Sequence, residues 1–462
     1  MADKEHTDPE RMEKIVSLAK RRGFIYQSAE LYGGLNGCWD YGPLGTELKR
    51  NLKDYWWRKT VQERDDILGL DGSILTHQAV LTASGHVGGF SDPMVDCKTC
   101  KSRFRADNLD GMQCTKKPSC TPGNGPDCQL TEAKEFNLMF QTKMGASADE
   151  DDPNAVAYLR PETAQSIFTQ YKNVLDSSRV KLPFGIAQIG KAFRNEINPR
   201  NFTFRSREFE QMEVEYFCRA EDGLRLTDEW LELRLEFYED IGLPREKLHV
   251  LDVPDGDRAH YSSKTYDIEF DFPFGCQELE GVAYRTDYDL SKHKEHSGRP
   301  LEYFDEETKE KFIPHVVEPS AGCDRTVLAL ICEAFEEEEV TDAKGKTEKR
   351  TVMHFAPRIA PIKAAIFPLI KKNEELVRIS REIQATLRPF MNVFYDESGA
   401  VGRRYRRQDE VGTPFCITVD FDTLGENDPA NKGTVTIRHR DSMEQERIPV
   451  GELLGWLAER VR

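Results

Sequence analysis

The feature that most constrains the fold is the segment from Gly185 to Phe217, which reads GIAQIGKAFRNEINPRNFTFRSREFEQMEVEYF. Its first part is apolar and suits a β-strand, Asn198-Pro199 marks a turn, and its second part alternates with the period of a strand. We therefore predict an antiparallel hairpin. One face of this hairpin would carry Arg194, Glu196, Arg207, Phe209 and Glu213. That face offers guanidinium groups for a phosphate, a ring for a base and carboxylates for an amine, although a merely solvated face is the simpler alternative.

A second feature is the segment from Phe312 to Phe335, FIPHVVEPSAGCDRTVLALICEAF. An apolar strand leads into Glu318-Pro319-Ser320, and a helix is predicted to begin near Ala321. Arg325 falls in the first turns of this helix, where a cation beside the N-terminal amides suits a polyphosphate. An ordinary helix whose arginine pairs with a nearby acid is the alternative.

Composition places the chain among folded globular proteins, with 38% hydrophobic residues. Its 64 basic and 81 acidic residues leave a formal net charge of −17, which excludes a non-specific nucleic-acid coat but allows a local binding patch. The longest apolar runs, such as Ala364 to Ile370, are far shorter than the ~20 residues of a membrane span. The first residues, MADKEHTDPERMEK, contain no apolar stretch, so we expect a cytoplasmic protein that binds no membrane.

Cysteine usage points to one local metal candidate. The chain has 11 cysteines, and several of them crowd between Cys97 and Cys128. Cys97-x2-Cys100 is a good half-site for zinc, which Cys114 and either Cys128 or Cys120 would complete. An insertion with free thiols is the alternative.

The chain changes character at residues Glu336 to Arg350, EEEEVTDAKGKTEKR, which are poor in apolar side chains and are predicted to form a solvated loop or domain junction. Beyond this segment, strands alternate with helices, and this predicts a separate small α/β domain. The densest basic run of the chain, Arg403 to Arg407, lies there. It is either a solvated helix face or a contact for RNA, or it lines the catalytic side.

Several of these motifs together resemble a known family. FRNEI and REFEQMEVEYF are similar to motif 2 of class II aminoacyl-tRNA synthetases, and EPSAGCDR is similar to motif 3. Six further segments resemble glycyl-tRNA synthetases of the homodimeric type. They are YLRPETAQSIF, LYGG–WDYGPLG, ASGH, FRAD, RTDYDLSKH and GAVGRRYRRQDEVGTPFCITVDFDTL. The joint set of long, separately placed motifs is far more specific than any one of them.

The resemblance implies an α+β fold, with a class II catalytic core of antiparallel sheet and helices and a C-terminal α/β anticodon-binding domain with a mixed sheet. The implied catalytic domain spans 1–340, a linker spans 341–361 and the anticodon-binding domain spans 362–462. Within the catalytic domain, 97–150 would be a cysteine-containing, zinc-ribbon-like insertion and 219–265 a partly helical insertion.

The resemblance also implies an ATP site. Arg194 would bind the α-phosphate and Arg325 the γ-phosphate, and these two are the implied catalytic residues. Glu196 would accept a hydrogen bond from the adenine amino group, Phe209 would stack on the ring, and Glu278 would hold Mg²⁺ and ATP. The complete implied ATP set is Arg194, Asn195, Glu196, Phe204, Arg205, Arg207, Glu208, Phe209, Glu278, Leu279, Gly322, Asp324 and Arg325.

Glycine offers only an ammonium and a carboxylate, so acidic groups and a hydroxyl are the implied ligands. Selectivity must come from exclusion, because one methylene is worth only ~1–3 kcal/mol when selection is by attraction. Arg105 would face the amino acid or its adenylate. The complete implied glycine set is Arg105, Glu162, Phe209, Glu210, Gln211, Met212, Glu213, Glu318, Ser320 and Gly322.

The implied function is ATP-dependent attachment of glycine to tRNA(Gly) through a glycyl-adenylate, by a homodimer that uses Mg²⁺ and a structural Zn²⁺. The main alternative is a non-catalytic, synthetase-like accessory subunit that binds nucleic acid, which would be expected to lack Arg194 and Arg325. A synthetase for another amino acid is disfavoured by Glu213, Glu318 and Ser320. One departure from the family pattern is Tyr284, which stands where Asn or Asp is common and could alter a hydrogen bond of the site.

Overall fold

The computed structural model describes residues 7–106, 109, 112–114, 116, 120–124, 128–145, 155–341 and 347–462. Its helices are α1 (Pro9–Arg22), α2 (Pro43–Trp57), α3 (Gln78–Ala83), α4 (His86–Gly89), α5 (Ala164–Ser178), α6 (Gly223–Asp240), α7 (Tyr288–Ser297), α8 (Cys323–Ala334), α9 (Glu374–Leu387), α10 (Val401–Asp409), α11 (Phe421–Leu424) and α12 (Leu453–Val461).

The strands of the first two thirds of the chain are β1 (Ile25–Gln27), β2 (Trp39–Tyr41), β3 (Ile67–Gly69), β4 (Leu75–His77), β5 (Ser91–Asp96), β6 (Arg103–Arg105), β7 (Lys134–Asn137), β8 (Gln141–Lys143), β9 (Val156–Leu159), β10 (Phe184–Phe193), β11 (Glu208–Cys218), β12 (Leu248–Asp252), β13 (Lys264–Phe272) and β14 (Gly275–Thr286). The later strands are β15 (Tyr303–Phe304), β16 (Lys311–Phe312), β17 (His315–Gly322), β18 (Phe335–Thr341), β19 (Thr347–Met353), β20 (Ala364–Pro368), β21 (Val393–Tyr395), β22 (Phe415–Val419), β23 (Thr434–His439) and β24 (Gln445–Pro449).

A seven-stranded sheet in the order β12-β13-β14-β17-β11-β10-β3 forms the centre of the fold. All neighbours are antiparallel except β10 and β3, which are parallel. The predicted hairpin is confirmed as β10 and β11, with Ala192 opposite Phe209 and Gln188 opposite Glu213. This sheet is the antiparallel core of the predicted α+β fold.

The two faces of β11 have different surroundings. Met212, Val214 and Tyr216 enter a hydrophobic core that also contains residues of α1, α2, α6 and α8. Strand alternation directs Phe209, Gln211, Glu213 and Glu215 to the opposite face. The far end of that face, around Phe217, is covered by a second core built with α5 and α7. The polar middle of this face is therefore left for a site.

The segment 219–265, predicted to be a partly helical insertion, contains α6 and β12. Trp230 and Leu235 of α6 are buried in the central core, and β12 is an edge strand of the central sheet. This segment therefore contributes a core helix and an edge strand to the central sheet and its hydrophobic core.

The cysteine-containing segment contributes a small three-stranded sheet in the order β6-β5-β7, with both pairs antiparallel. Its hydrophobic cluster contains Val95, Cys97 and Phe104. Residues 107–108, 110–111, 115, 117–119, 125–127 and 146–150 of the predicted insertion lie outside the described residues.

The C-terminal part forms the predicted α/β domain, with a five-stranded mixed sheet in the order β21-β20-β22-β23-β24. Strand β20 is parallel to both β21 and β22, whereas the remaining pairs are antiparallel. Helices α9 and α12 pack on one face of this sheet, and α10 packs on the other.

The segment from Glu336 to Arg350 is predicted to be a solvated loop or a domain junction, and the loop alternative is wrong for its described part, because β18 and β19 form an antiparallel hairpin there. Residues 342–346 lie outside the described residues. Arg350 is buried and donates to Asp409 at 3.0 Å and to the Arg440 carbonyl at 2.6 Å. The hairpin is thus bonded to the C-terminal domain through Arg350, a residue that the polar composition of the segment predicts to be solvent-exposed. Across the described parts of the chain, no helix has the length and apolar character needed to cross a lipid bilayer.

Candidate active site

The centre of the site is Glu213, which lies opposite Ser320 in the register of β11 and β17. Its carboxylate is buried and accepts hydrogen bonds from the Ser320 hydroxyl, at 2.7 Å, and from the Thr163 hydroxyl. The Gln211 amide donates to the same serine oxygen at 3.2 Å, and its own Oε1 is buried with no partner among the described residues. Both Glu213 oxygens are therefore fixed in place, and a free acceptor lies beside them.

Glu318 forms a second wall of the site. Arg285 on the adjacent strand β14 donates to Glu318 at 2.6 Å and makes two further bonds to Asp289 of α7, at 2.8 and 2.9 Å. All three residues are buried. Because breaking a buried ion pair leaves an uncompensated charge, this arrangement holds Glu318 in one position.

Glu162, in the turn before α5, contributes a third carboxylate. It lies 3.5 Å from the His86 ring and accepts a hydrogen bond from Gln165 at 2.9 Å. The Gln165 Oε1 in turn accepts a hydrogen bond from Nε2 of the buried His293, at 2.8 Å, and the Gln165 amide nitrogen donates to Asp289 at 3.1 Å. A continuous hydrogen-bond chain thus orients this acid.

Electrostatically, the site has more buried acids than cations. Burial, followed by the charges of Glu318 and Glu162, raises the pKa of Glu213 well above its ordinary value. Burial alone would raise the pKa of Glu162. The interactions of Glu162 with His86 and Arg285 have the larger effect, so the pKa of that carboxyl is lowered. A pocket of this kind stabilises an additional positive charge such as an ammonium group.

Arg194 lies beside this pocket at the end of β10. Its guanidinium donates to the Pro161 carbonyl at 3.1 Å and stacks between two rings, 5.3 Å from the Phe209 centroid and 5.4 Å from that of Phe90. Phe209 lies two residues before Gln211 on β11, the strand that also carries Glu213. The expected pair of an arginine and an aromatic ring is therefore adjacent to the acidic pocket.

Arg325 is in the first turn of α8, directly after β17. Its guanidinium is 3.1 Å from the Glu278 carboxylate and 4.5 Å from the Phe204 ring centroid. A Cβ on Gly322 would lie 3.2 Å from the Arg325 side chain, so a glycine there leaves room for it. Gly322 pairs with Gln211, which places Arg325 at the same end of the sheet as Arg194 and Phe209.

The turn between β10 and β11 has a different arrangement from the one expected. Glu196 accepts a hydrogen bond from Arg205 at 2.7 Å, and Arg207 donates to the main-chain carbonyls of Glu196 and Asn36 at 3.0 and 2.6 Å. Arg207 belongs to the predicted ATP set, and in the structure its guanidinium ties this turn to the segment after β1. The Asn195 backbone amide donates to the Leu138 carbonyl at 2.7 Å.

Four residues of the predicted sets have side chains away from the pocket. Met212 and Leu279 are core residues, and Glu210 binds Lys49 and Lys53. Asp324 is buried and accepts from the Tyr41 hydroxyl, Lys49 and the Glu210 backbone amide. Strand alternation explains Glu210 and Met212, because they face the helix layer whereas Gln211 and Glu213 face the site. Glu208, the first residue of β11, is exposed and pairs with Lys191.

Arg105 lies on β6, where its guanidinium is 3.0 Å from Asp92. Of the predicted zinc ligands, Cys97 and Cys128 have sulfurs 3.5 Å apart, and the Cys100 amide donates to the Cys97 sulfur at 3.4 Å. Within the described residues, the groups of three potential metal ligands whose donor atoms lie within 4.8 Å of one another do not include Cys97, Cys100, Cys114 or Cys128. The structure thus pairs two of the four sulfurs without closing a four-sulfur site.

Sequence reasoning missed Arg285, Thr163 and Glu215, which all lie at the acidic pocket. The signal for Arg285 was a charged residue at the end of the apolar strand GVAYR. The concern about Tyr284 was wrong, because alternation turns it to the other face. Its hydroxyl lies 2.5 Å from the His315 ring and packs against Gly223 of α6.

Comparison with family models matches two regions of the chain. Residues 143–335 match the tRNA synthetase class II core domain (G, H, P, S and T), and residues 363–460 match the anticodon binding domain. A crystal structure of prolyl-tRNA synthetase from Cryptosporidium parvum, complexed with L-proline and AMP, superposes with a TM-score of 0.62. It covers 97% of this chain and 75% of that one at 17% identity, and so shows the fold alone.

Curated proteins named glycine–tRNA ligase are similar over nearly the whole chain. The one from Thermobifida fusca is 51% identical, covering 98% of each chain, and the one from Treponema denticola is 51% identical, covering 98% of this chain and 97% of its own. The one from Geobacillus thermodenitrificans is 49% identical, covering 97% of each.

Proposed function

Because this chain belongs to the glycine–tRNA ligases, a family of class II aminoacyl-tRNA synthetases, we propose that its glycine site is the acidic pocket formed by Glu162, Glu213, Glu318 and Ser320. The chain attaches glycine to tRNA and uses ATP and a divalent metal ion to do so. The observation that carries the proposal is the pairing of Glu213 with Ser320, beside the stacked Arg194 and Phe209.

The pocket has more acidic than basic side chains, and the ammonium group of glycine supplies a compensating positive charge. Carboxylates at Glu162, Glu213 and Glu318 are its natural acceptors, and the buried Oε1 of Gln211 is a further one. Ser320 and Thr163 are bonded to Glu213, so these walls are rigid and exclude a side chain by steric overlap. This exclusion accounts for selectivity that attraction alone cannot provide.

In the first step, the glycine carboxylate attacks the α-phosphorus of ATP, which forms glycyl-adenylate and releases pyrophosphate. Both reactants are anionic at the reacting atoms, so the protein contributes positioning and positive charge. We assign Arg194 to the α-phosphate, Phe209 to the adenine ring and Arg325 to the γ-phosphate. In the second step, a hydroxyl of the terminal adenosine of tRNA attacks the carbonyl carbon and AMP leaves.

Mg²⁺ is the divalent ion we propose, with Glu278 as its protein ligand. The Glu278 carboxylate is half-exposed beside Arg325, and its charge contributes, after burial, to raising the pKa of Asp267 to about 6. Carboxylate oxygens are the ligands that Mg²⁺ prefers, so this donor set fits. The ion would neutralise phosphate charge when bound.

The C-terminal domain, 362–462, is proposed to bind the anticodon of tRNA(Gly), with 341–361 as the linker and 1–340 as the catalytic domain. The match of residues 363–460 to the anticodon binding domain supports this division. RNA loops are recognised by stacking and by hydrogen bonds to base edges.

A structural Zn²⁺ is proposed for the cysteine segment, with Cys97 and Cys128 as first ligands and Cys100 and Cys114 completing the set. Backbone amides of Cys100 and Gly123 donate to the two sulfurs, at 3.4 and 3.1 Å, and the first of these bonds lowers the pKa of Cys97 to about 7. Tetrahedral zinc with Zn–S bonds of about 2.3 Å separates sulfurs by about 3.8 Å, close to the distance found for this pair. Metal analysis of the purified chain and of a Cys97→Ser variant tests this site.

We also propose a cytoplasmic homodimer. Within the described residues, which include every cysteine, no two cysteines are joined by a disulfide bond, as expected in a reducing compartment. Leu31 and Tyr32 are 96% and 92% exposed in the segment after β1, and a second copy of the chain is the partner proposed to cover them. Light scattering on the chain and on a Leu31→Ser/Tyr32→Ser variant tests the dimer, which the variant is expected to weaken.

Amino-acid-dependent ATP–pyrophosphate exchange, run separately with each of the natural amino acids, tests the proposed function. Exchange with glycine alone is the expected result. Exchange with a different amino acid would show that the pocket selects that amino acid and not glycine. No exchange with any of them would favour the non-catalytic accessory subunit.

A further inference from the structure

Glu215 is a buried carboxyl group that the proposed mechanism does not use. It lies on β11 two residues after Glu213, it is 0% exposed, and neither of its oxygens accepts a hydrogen bond from a donor among the described residues. Oxygens of Glu213, Glu215 and Glu318 lie within 4.8 Å of one another. An isolated buried carboxylate with no donor is among the most costly groups a fold can contain.

The neighbouring acids differ from Glu215 because they have donors. Glu213 accepts two hydroxyl hydrogens, and one oxygen of Glu318 accepts from Arg285. A proton shared within this cluster is therefore most favourable on Glu215, where an O–H group replaces a charge that nothing stabilises.

The groups that face Glu215 come from every element packed around it. Burial comes first, and the charges of Glu318, Arg285, Glu213 and Asp289 follow, with the net effect that the pKa of Glu215 is raised well above its ordinary value. Glu162 and the partly exposed Tyr261 also adjoin this cluster, and their charges act on Glu213 and Arg285 respectively. Arg285 is already committed to Glu318 and Asp289, so it leaves Glu215 without a counter-ion.

We propose that Glu215 is a neutral carboxylic acid that donates a hydrogen bond to Glu318 and thereby positions that carboxylate for the glycine ammonium. Glu215 is thus a positioning residue that acts through Glu318 and adds no charge to the pocket. The inference rests on the proposed glycine site.

The test compares Glu215→Gln, whose amide can donate as the acid does, with Glu215→Leu, which cannot donate. Glycine KM is measured by ATP–pyrophosphate exchange, with Glu318→Gln as the reference for lost charge. Loss of a hydrogen bond to a charged group predicts that the leucine variant raises glycine KM about tenfold to a hundredfold, and that glutamine brings it back to within about threefold of the parent. Infrared spectra at neutral pH should show a protonated carboxylic acid band that Glu215→Gln lacks.

A rise in glycine KM for Glu215→Gln as large as that for Glu318→Gln would show that Glu215 is charged and would overturn the inference. Absence of the infrared band, or an unchanged KM in a folded leucine variant, would overturn it as well. Failure of the parent chain to exchange with glycine would instead count against the proposed function, and the infrared result would still decide the protonation of Glu215.

Discussion

Arg285 and Glu318 form a buried ion pair of 2.6 Å between neighbouring strands, in the wall of the pocket that we assign to glycine. The pair joins the end of β14 to the neighbouring strand β17, which leads into α8, and the other two guanidinium nitrogens of Arg285 donate to Asp289. Glu318 therefore faces the pocket with a fixed geometry before any substrate is bound, which is the arrangement that catalysis by positioning requires.

Replacing Glu318 with Gln should raise the KM for glycine far more than the KM for ATP. The amide keeps the shape of the side chain but removes a charge from the ammonium site, so we expect an increase of about tenfold to a hundredfold for glycine. Pyrophosphate exchange at varied glycine and varied ATP measures both constants. Glu382→Gln, an exposed acid on α9, is the matched control, and equal effects on the two substrates would contradict the assignment of the pocket.

Replacing Arg325 with Ala should lower the exchange rate about a hundredfold to a thousandfold, because one preorganised positive charge is lost from the triphosphate. Arg325 is partly exposed and contacts Glu278 and Phe204, so the variant should keep its fold by circular dichroism. Arg378→Ala, which removes an exposed arginine paired with acids on α9, should leave exchange unchanged. Near-normal exchange by Arg325→Ala would refute the γ-phosphate role.

Arg404→Ala should destabilise the C-terminal domain. Arg404 is buried and donates to the carbonyls of Pro368 and Asp396, at 2.7 and 3.2 Å, and to that of Leu369. Leaving these acceptors unsatisfied is expected to lower the free energy of unfolding by about 3 kcal/mol or more. The neighbouring Arg403 is exposed, and Arg403→Ala should change it by no more than about 0.5 kcal/mol. Urea unfolding of the two variants measures this, and equal effects would contradict the difference in their roles.

His354 should stabilise the contact between the β18–β19 hairpin and the C-terminal domain in a pH-dependent way. Its ring nitrogens lie 2.6 Å from Asp441 and 2.9 Å from Glu338, and the bond to Asp441 outweighs burial and raises the pKa of His354. A raised folded-state pKa means that the stabilisation is fully present below the unfolded value of about 6.5 and is lost as pH rises through the folded value.

His354→Gln should therefore lower Tm more at pH 6 than at pH 9. Thermal unfolding over this range measures the difference from the parent, with the exposed His296→Gln as the control. A Tm difference that stays constant across the range would show that the charge of His354 does not contribute.

Local periodicity explains why part of the site was predictable from the sequence. The alternation in REFEQMEVEYF correctly separates Glu213 from Met212, and the apolar run after EPSAGCDR correctly begins a helix with Arg325 in its first turn. The resemblance implied that Glu210 and Met212 belong to the glycine set. The same alternation, however, places these two residues on the face of β11 opposite to Glu213.

Long-range pairing explains what was missed. Arg285 acquires its role only when β14 is aligned beside β17, and Asp324 is engaged by Tyr41 and Lys49 from a distant part of the chain. In the same way, the burial of Arg404 depends on carbonyls at the end of β20 and after β21, which a basic run in the sequence does not reveal.

The most direct test of the account is a crystal structure of the chain with a non-hydrolysable analogue of glycyl-adenylate. We predict that the ammonium group lies within hydrogen-bond distance of Glu213 and Glu318, that the phosphate contacts Arg194, and that the adenine stacks on Phe209. An analogue bound with its amino group outside the acidic pocket, or with its adenine away from Phe209, would contradict the account.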